Sequence, residues 1–340
     1  MIQDLIRENI KTLKPYSSAR DEFKQKAEVY LDANENPNDN GLNRYPDPYQ
    51  KDVKKLIAEW RGIESDKILL GNGSDEILDL LFRAFCEPKE DNVILLPPTY
   101  GMYEVLANIN NVETIEVGLN DDYSLNIEAI LAAQTSNSKL LFVCSPNNPT
   151  ANVFNTSEVE KLLHGFNGIT VIDEAYIDFS NEKSWIYRLD EFPNIIVTQT
   201  FSKALGHAGI RLGMAFASEY IISVLNKIKP PYNVNELTQR RAIEVIERRE
   251  FDSQIELIKK EREKLNKELS KISFVEKIYS SEANFILIKV NDADKIYNQL
   301  LEKGIVIRNR STQYKCENTL RISVGTPEEN KKLTEALKEL

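Results

Sequence analysis

The stretch TQTFSKALGHAGIRLGMAF, residues 198–216, decides the fold. It leaves an apolar run, Asn194 to Val197, that has the character of a buried strand. It then fixes Lys203 among small residues, reaches Arg211, and re-enters an apolar strand at GMAFA (213–217). A lysine in a dry Gly/Ala-rich segment is costly unless its charge or its amine has a use. Working outward, further strand-length apolar runs are KILLG (67–71), NVILL (92–96), ETIEV (113–117), KLLFVCS (139–145), ITVID (169–173) and NIIVTQT (194–200). Amphipathic segments such as SDEILDLLFRAF (74–85) lie between them. The alternation predicts an α/β domain with a mostly parallel seven-stranded sheet flanked by helices. The near-continuous apolar strands predict that both faces are covered.

Beyond this domain the pattern changes. From about Val234 to Leu269 the spacing predicts one long, charge-laced connecting helix, with no Pro or Gly in QIELIKKEREKLNKEL. FVEKIYS, NFILIKV, DADKIYNQLLEKG, IVIRNR, TLRISVG and a helix from Pro327 then predict a small α+β domain. The Asn/Pro-rich DANENPNDNGLNRYPDPY (32–49) reads as a loop. The expected division is 1–37 as an N-terminal arm and part of the small domain, 38–250 as the large domain and 251–340 as the small one.

The 340 residues carry a formal net charge of −10, which argues against non-specific nucleic-acid binding. Cys86, Cys144 and Cys316 are too scattered for a disulfide framework or zinc site and suit a reducing compartment. His164 and His207 cannot supply a histidine-based metal cluster, so no metal is expected. The N-terminus lacks the basic-then-apolar order of a signal peptide, and no apolar run has membrane-spanning length. The expectation is a cytoplasmic protein without membrane contact.

In open parallel sheets ligands bind beyond the carboxyl ends of the strands. Four strand candidates end in chemically distinct polar motifs: GNGSDE, SPNNPT, DEAY and TFSK. Gly71 and Gly73 permit close backbone approach, Ser74 is placed to cap the following helix, and free N–H groups there suit a phosphate; an ordinary capped turn explains the same residues. Asp173 ends a β-branched strand, and a buried carboxylate needs a partner such as a protonated pyridine nitrogen. Tyr176, three residues on, is placed to donate to a phenolate oxygen on that ring. Asn147 would bind a ring oxygen or a substrate carboxylate, although SPNNPT by itself reads better as a rigid turn. A desolvated lysine near positive charge becomes a nucleophilic amine, able to condense with an aldehyde such as that of pyridoxal phosphate. Thr200, Ser202 and Arg211 would then hold its phosphate.

Taken in order, SPNNPT, DEAY, SK…GIRLG and LRISVG resemble the fold-type I pyridoxal-phosphate aminotransferases. The likeness covers essentially the whole chain. It is sharpened by LKPYSSAR (13–20), LDANENP (31–37), LNRYPDP (42–48), PPTYGMY (97–103) and TLRISVGTPEEN (319–330). These motifs are similar to the branch that exchanges an amino group between L-histidinol phosphate and 2-oxoglutarate, yielding imidazole acetol phosphate and glutamate. The resemblance implies Lys203 as the cofactor lysine, Asp173 at the ring nitrogen, Asn147 and Tyr176 at the ring oxygen, and Tyr100 stacked on the ring. It implies Gly73, Ser74, Thr200, Ser202 and Arg211 at the phosphate, and Tyr16, Asn147, Arg308 and Arg321 at the substrate. Tyr45 would reach the phosphate from the other subunit of a homodimer.

Two positions depart from the family pattern. Ala151 stands where glycine is usual, which adds strain if that position needs a positive φ. His207 replaces an apolar residue and is expected to be a wall residue. An aromatic amino-acid aminotransferase, a threonine-phosphate decarboxylase or a non-catalytic binding protein of the same fold are the competing readings. A nucleotide-binding module lacks the glycine patterns it would need.

Overall fold

The computed structural model describes residues 2–17, 23 and 27–340. Residues 18–20 of the LKPYSSAR motif lie outside the described residues.

Seven strands form the first sheet: β1 (Ile68–Asn72), β2 (Asn92–Leu95), β3 (Glu113–Glu116), β4 (Ser138–Cys144), β5 (Ile169–Asp173), β6 (Ile195–Thr200) and β7 (Leu212–Ala217). Their spatial order is β1-β7-β6-β5-β4-β2-β3. All pairings are parallel except those of β7, which runs against both β1 and β6. Alternation along each strand divides its residues between two cores. Leu69, Leu140, Phe142, Val171 and Ala215 pack with the helix Ser74–Phe85 and with Tyr103 and Ile221. Leu70, Leu141, Val143, Ile172 and Met214 pack on the opposite side with Ile57, Val159, Leu162 and Ala242. Both faces being dry explains why the strands read as unbroken apolar runs.

Residues 2–12 join the first of these cores through Ile6 and Ile10. The Arg7 N–H donates to the Ala84 carbonyl at 3.1 Å and its guanidinium pairs with Glu87 at 2.9 Å. A second, antiparallel sheet has the order β10-β11-β9-β8, with β8 Val275–Ile278, β9 Phe285–Val290, β10 Arg308–Asn309 and β11 Thr319–Ser323. One of its faces, with Ile286, Ile288, Leu320 and Ile322, packs under Leu265, Ile296 and Leu333 of three helices. Its other face, with Phe285 and Leu287, joins the core of the large sheet.

The expected single helix over 234–269 is two helices, Glu236–Arg248 and Phe251–Leu269. Arg249 closes the first at φ 51°, donating its N–H to the Val245 carbonyl. Arginine gives no sign of this in sequence, because left-handed backbone is normally left to glycine or asparagine. The break seats the buried Phe251 ring 5.2 Å from Trp60.

Ala151 stands at φ 64°, so the turn after β4 does require the left-handed region. Its N–H donates to the Asn147 carbonyl at 2.7 Å and its own carbonyl accepts from Glu282 N–H at 2.8 Å, so the conformation is held from both sides. Left-handed backbone costs a non-glycine residue about 1–2 kcal/mol, whereas removing one buried methyl costs about 0.8 kcal/mol. Ala151→Gly is therefore expected to raise stability by up to about 1 kcal/mol in urea unfolding. A fall of that size would show that the methyl outweighs the strain.

Candidate active site

The carboxyl ends of β1, β4, β5 and β6 lie at one edge of the sheet, and the reversed β7 begins there. At this edge a cavity of about 180 Å³ is lined by Ser74, Tyr100, Asp173, Tyr176, Thr200, Ser202, Lys203 and Arg211, with Asp75 and Asn148 between them. The sequence separates these residues by up to 137 positions; the strand order brings them together.

One side of the cavity is a backbone cradle. Gly73 stands at φ 81°, and a Cβ on it would lie 2.6 Å from the Arg211 guanidinium. A Cβ on Gly213 would lie 2.3 Å from the Ser74 nitrogen, so β7 meets the turn after β1 without room for a side chain. Gly73, not Ser74, is the N-cap; Ser74 is the first helical residue and leaves its N–H at the helix start. The dipole and free N–H groups there favour an anion. Arg211 adds charge from the other side, 3.9 Å from Asp75.

Lys203 sits on the loop that joins β6 to β7. That loop is closed by register pairing of Thr200 with Gly213, by Phe201 N–H to the Leu212 carbonyl at 3.0 Å, and by His207 N–H to the Phe201 carbonyl at 2.9 Å. Ser202 N–H donates to Thr200 Oγ1 at 3.1 Å. The Lys203 side chain opens onto the cavity, and its Nζ lies 5.6 Å from the Tyr176 ring centre. Desolvation by the walls, then the positive charge of Arg321, hold its pKa below the usual lysine value, against the pull of Asp173 and Asp75. His207 does not line the cavity. Arg241 donates to its Nε2 at 3.1 Å, so its Nδ1 donates to the Leu205 carbonyl.

Asp173 is 4% exposed at the end of β5. Its Oδ2 accepts from Tyr103 Oη at 2.6 Å and its Oδ1 from Ala175 N–H at 3.1 Å. Burial raises its pKa, and these bonds oppose the rise. No cationic side chain among the described residues forms an ion pair with it. Its neighbour Glu174 accepts bonds from Ser184 Oγ, Trp185 N–H and Gln199 Nε2. Burial lifts Glu174 from 4.5 to about 7.

Asn147 is a correction. It is 1% exposed, and its Nδ2 donates to the Pro98 carbonyl at 2.9 Å and to Thr150 Oγ1 at 2.7 Å. Its amide is committed to fastening the turn, and it lies behind the cavity wall. Asn148 lines the cavity instead, and its Oδ1 accepts from the Arg321 guanidinium. Tyr100 forms the wall opposite, its hydroxyl donating to Asp75 at 3.2 Å.

The remaining residues expected at the site are not in this cavity. Arg321 reaches it through Asn148, and Arg308 pairs with Arg321 in register, exposed on a neighbouring cleft. Tyr16 is 66% exposed. Tyr45 is stacked on Tyr232 at 4.4 Å and lines a separate hollow. The sequence reading passed over Tyr103, although PPTYGMY places it three residues after Tyr100. It also passed over Asn148, and over Arg310 between the two expected arginines.

This fold and a lysine poised beside an unpaired buried carboxylate define a group-transfer enzyme. The chain belongs to the class I and II aminotransferase family, whose model matches residues 16–337. It is 62% identical over 344 residues to the histidinol-phosphate aminotransferase of Christiangramia forsetii, covering 100% of this chain and 98% of that one, which places it in that branch of the family. The solved histidinol-phosphate aminotransferase of Clostridium acetobutylicum is 25% identical, with a TM-score of 0.81 over 88% of this chain and 90% of that one. That of Sinorhizobium meliloti, solved with pyridoxal 5'-phosphate, shares the fold at 23% identity and a TM-score of 0.79, over 87% and 82%.

Pyridoxal phosphate is the family's cofactor, and the residues here fit it. Gly73 and Gly213 leave a cradle at a helix start, Lys203 offers an amine of lowered pKa, and Asp173 forms no ion pair among the described residues. Removing the Tyr103 hydroxyl makes the Asp173 carboxylate harder to keep charged. Tyr103→Phe is expected to weaken pyridoxal phosphate binding by about tenfold in an absorbance titration. Unchanged affinity would remove Tyr103 from the site. For Glu174 the folded pKa lies above the unfolded one, so its contribution is present below 4.5 and lost as pH rises through about 7. Thermal melts of the wild type are expected to lose ground to Glu174→Gln between about pH 4 and about pH 8, which bracket the window from 4.5 to about 7; parallel curves would contradict the shift.

Proposed function

We propose that this chain transfers an amino group between L-histidinol phosphate and 2-oxoglutarate, giving imidazole acetol phosphate and L-glutamate, a step of histidine biosynthesis. The observation that carries the reading is the placement of Lys203 and Asp173 in one cavity, under a family identity that spans the chain.

Bound pyridoxal phosphate supplies the carbonyl that takes up the amine and the electron sink for the carbon that loses its proton. Lys203 would hold that carbonyl through its amine. When free, the same amine would take the proton from the substrate carbon as base and deliver it as acid to the cofactor's former carbonyl carbon. Its lowered pKa keeps more of it neutral near pH 7, which that first step needs. Asp173, kept in place by Tyr103, would pair with the protonated ring nitrogen and stabilise its charge in a site of low dielectric. Asn148 and Tyr176 would serve the ring oxygen, Tyr100 the ring face, and Gly73, Ser74, Thr200, Ser202 and Arg211 the phosphate.

The two substrates are unlike, and arginine suits both carboxylate and phosphate. Arg321 is the shared anion grip, with Arg308 and Tyr16 adding contacts. The partner subunit's Tyr45 reaches the phosphate in a cytoplasmic homodimer, which accounts for Tyr45 being exposed and outside its own cavity. The two sheets, one built before residue 250 and one after it, support a division of the chain there.

Titrating the holoenzyme with L-histidinol phosphate is expected to replace the cofactor's lysine-linked absorbance band with that of its amine form. Lys203→Ala is expected to lose turnover entirely. Release of CO2, or preference for tyrosine or phenylalanine as donor, would give the function to a different branch. Full turnover by the alanine variant would falsify the role of Lys203.

A further inference from the structure

Three arginines share one face of the small sheet. Register sets Arg308 opposite Arg321, so both side chains leave the same side of the sheet. The Arg310 N–H donates to the Thr319 carbonyl at 2.9 Å, so the pairing continues and alternation returns Arg310 to that side. This is also the side of Phe285 and Leu287, which meets the large sheet. The Arg321 guanidinium lies 5.2 Å from the Phe285 ring and donates to Asn148 at the cavity wall.

No carboxylate among the described residues pairs with any of the three. Like charges side by side on a sheet are destabilising, and Arg310 carries most of the burden. It is half-buried, and its Nε has no acceptor among the described residues. Burial, then Arg321 and Arg308, depress its pKa to about 10, and the Tyr176 hydroxyl of the cavity is close enough to act on it in the opposite sense. A protein that holds an arginine in this way keeps a donor and a charge in reserve for an anion.

We propose that Arg310 is a specificity-determining residue of the substrate site, the third guanidinium that favours a phosphate monoester over a carboxylate. The inference rests on the functional reading above for which phosphate ester arrives. A phosphate monoester carries a charge of about −1.5 to −2 near neutral pH and three acceptor oxygens. A carboxylate carries one charge and two oxygens, which a single arginine fork satisfies. The third arginine is thus needed in one half-reaction and dispensable in the other.

The test compares holoenzyme with Arg310→Gln and Arg310→Lys in three measurements. These are KM for L-histidinol phosphate, KM for glutamate, and inhibition by inorganic phosphate competing with glutamate. In the glutamine variant the histidinol phosphate KM and the inorganic phosphate Ki are expected to rise about tenfold, with glutamate within about twofold and kcat retained. The lysine variant is expected to recover part of the loss. An unchanged phosphate Ki overturns the proposal, as does equal weakening of the glutamate arm or parallel loss of cofactor binding, which would make Arg310 structural. A wild type inert to histidinol phosphate, yet inhibited by inorganic phosphate through Arg310, would sink the functional reading and uphold this one.

Discussion

A carboxylate buried at the middle of the large sheet, with no ion-pair partner among the described residues, is the constraint on which the site depends. Asp173 sits where burial penalises its charge, and Tyr103, the Ala175 N–H and Thr198 offset part of the penalty. Such an arrangement is unfavourable by itself and would be relieved by a positive group brought into the cavity. Much of the surrounding packing serves to hold the carboxylate's donor in place. Tyr103 is fixed by stacking on Phe142 at 4.7 Å, and Phe142 in turn by Phe82 at 5.5 Å, so the packing of one face of the sheet sets the position of the hydroxyl.

The helix start at Ser74 and the guanidinium of Arg211 line the cavity from the large sheet, while Arg321, Arg308 and Arg310 share one face of the small sheet. The two groups approach from separate parts of the fold. A cofactor phosphate and a substrate anion can therefore be held at once without sharing a donor. Arg321 also lowers the pKa of Lys203, so an anion that neutralised Arg321 would change the basicity of the amine.

Much of this was legible in sequence because strands covered on both faces have an unmistakable apolar signature, and each of the seven was located to within a residue or two. The polar strand ends followed from the strands. What was missed depends on conformation within a few residues. Asn147 and Asn148 are identical in kind, and only the path of the turn, which ties Asn147 to Pro98, decides which one faces the cavity. The helix break at Arg249 uses a residue that carries no turn signal. Tyr103 and Arg310 resemble core and surface residues until tertiary contacts show what lies opposite them. Tyr16 and Tyr45 were named through the motifs LKPYSSAR and LNRYPDP, and within one chain they stay away from the cavity.

The reversed strand β7 has a mechanical consequence. Because it doubles back against β6, the amine of Lys203 and the guanidinium of Arg211 belong to a single hairpin closed by the ladder at Thr200 and Gly213. The hairpin acts as a caliper, its two jaws the amine and the guanidinium, whose spacing is set by that ladder.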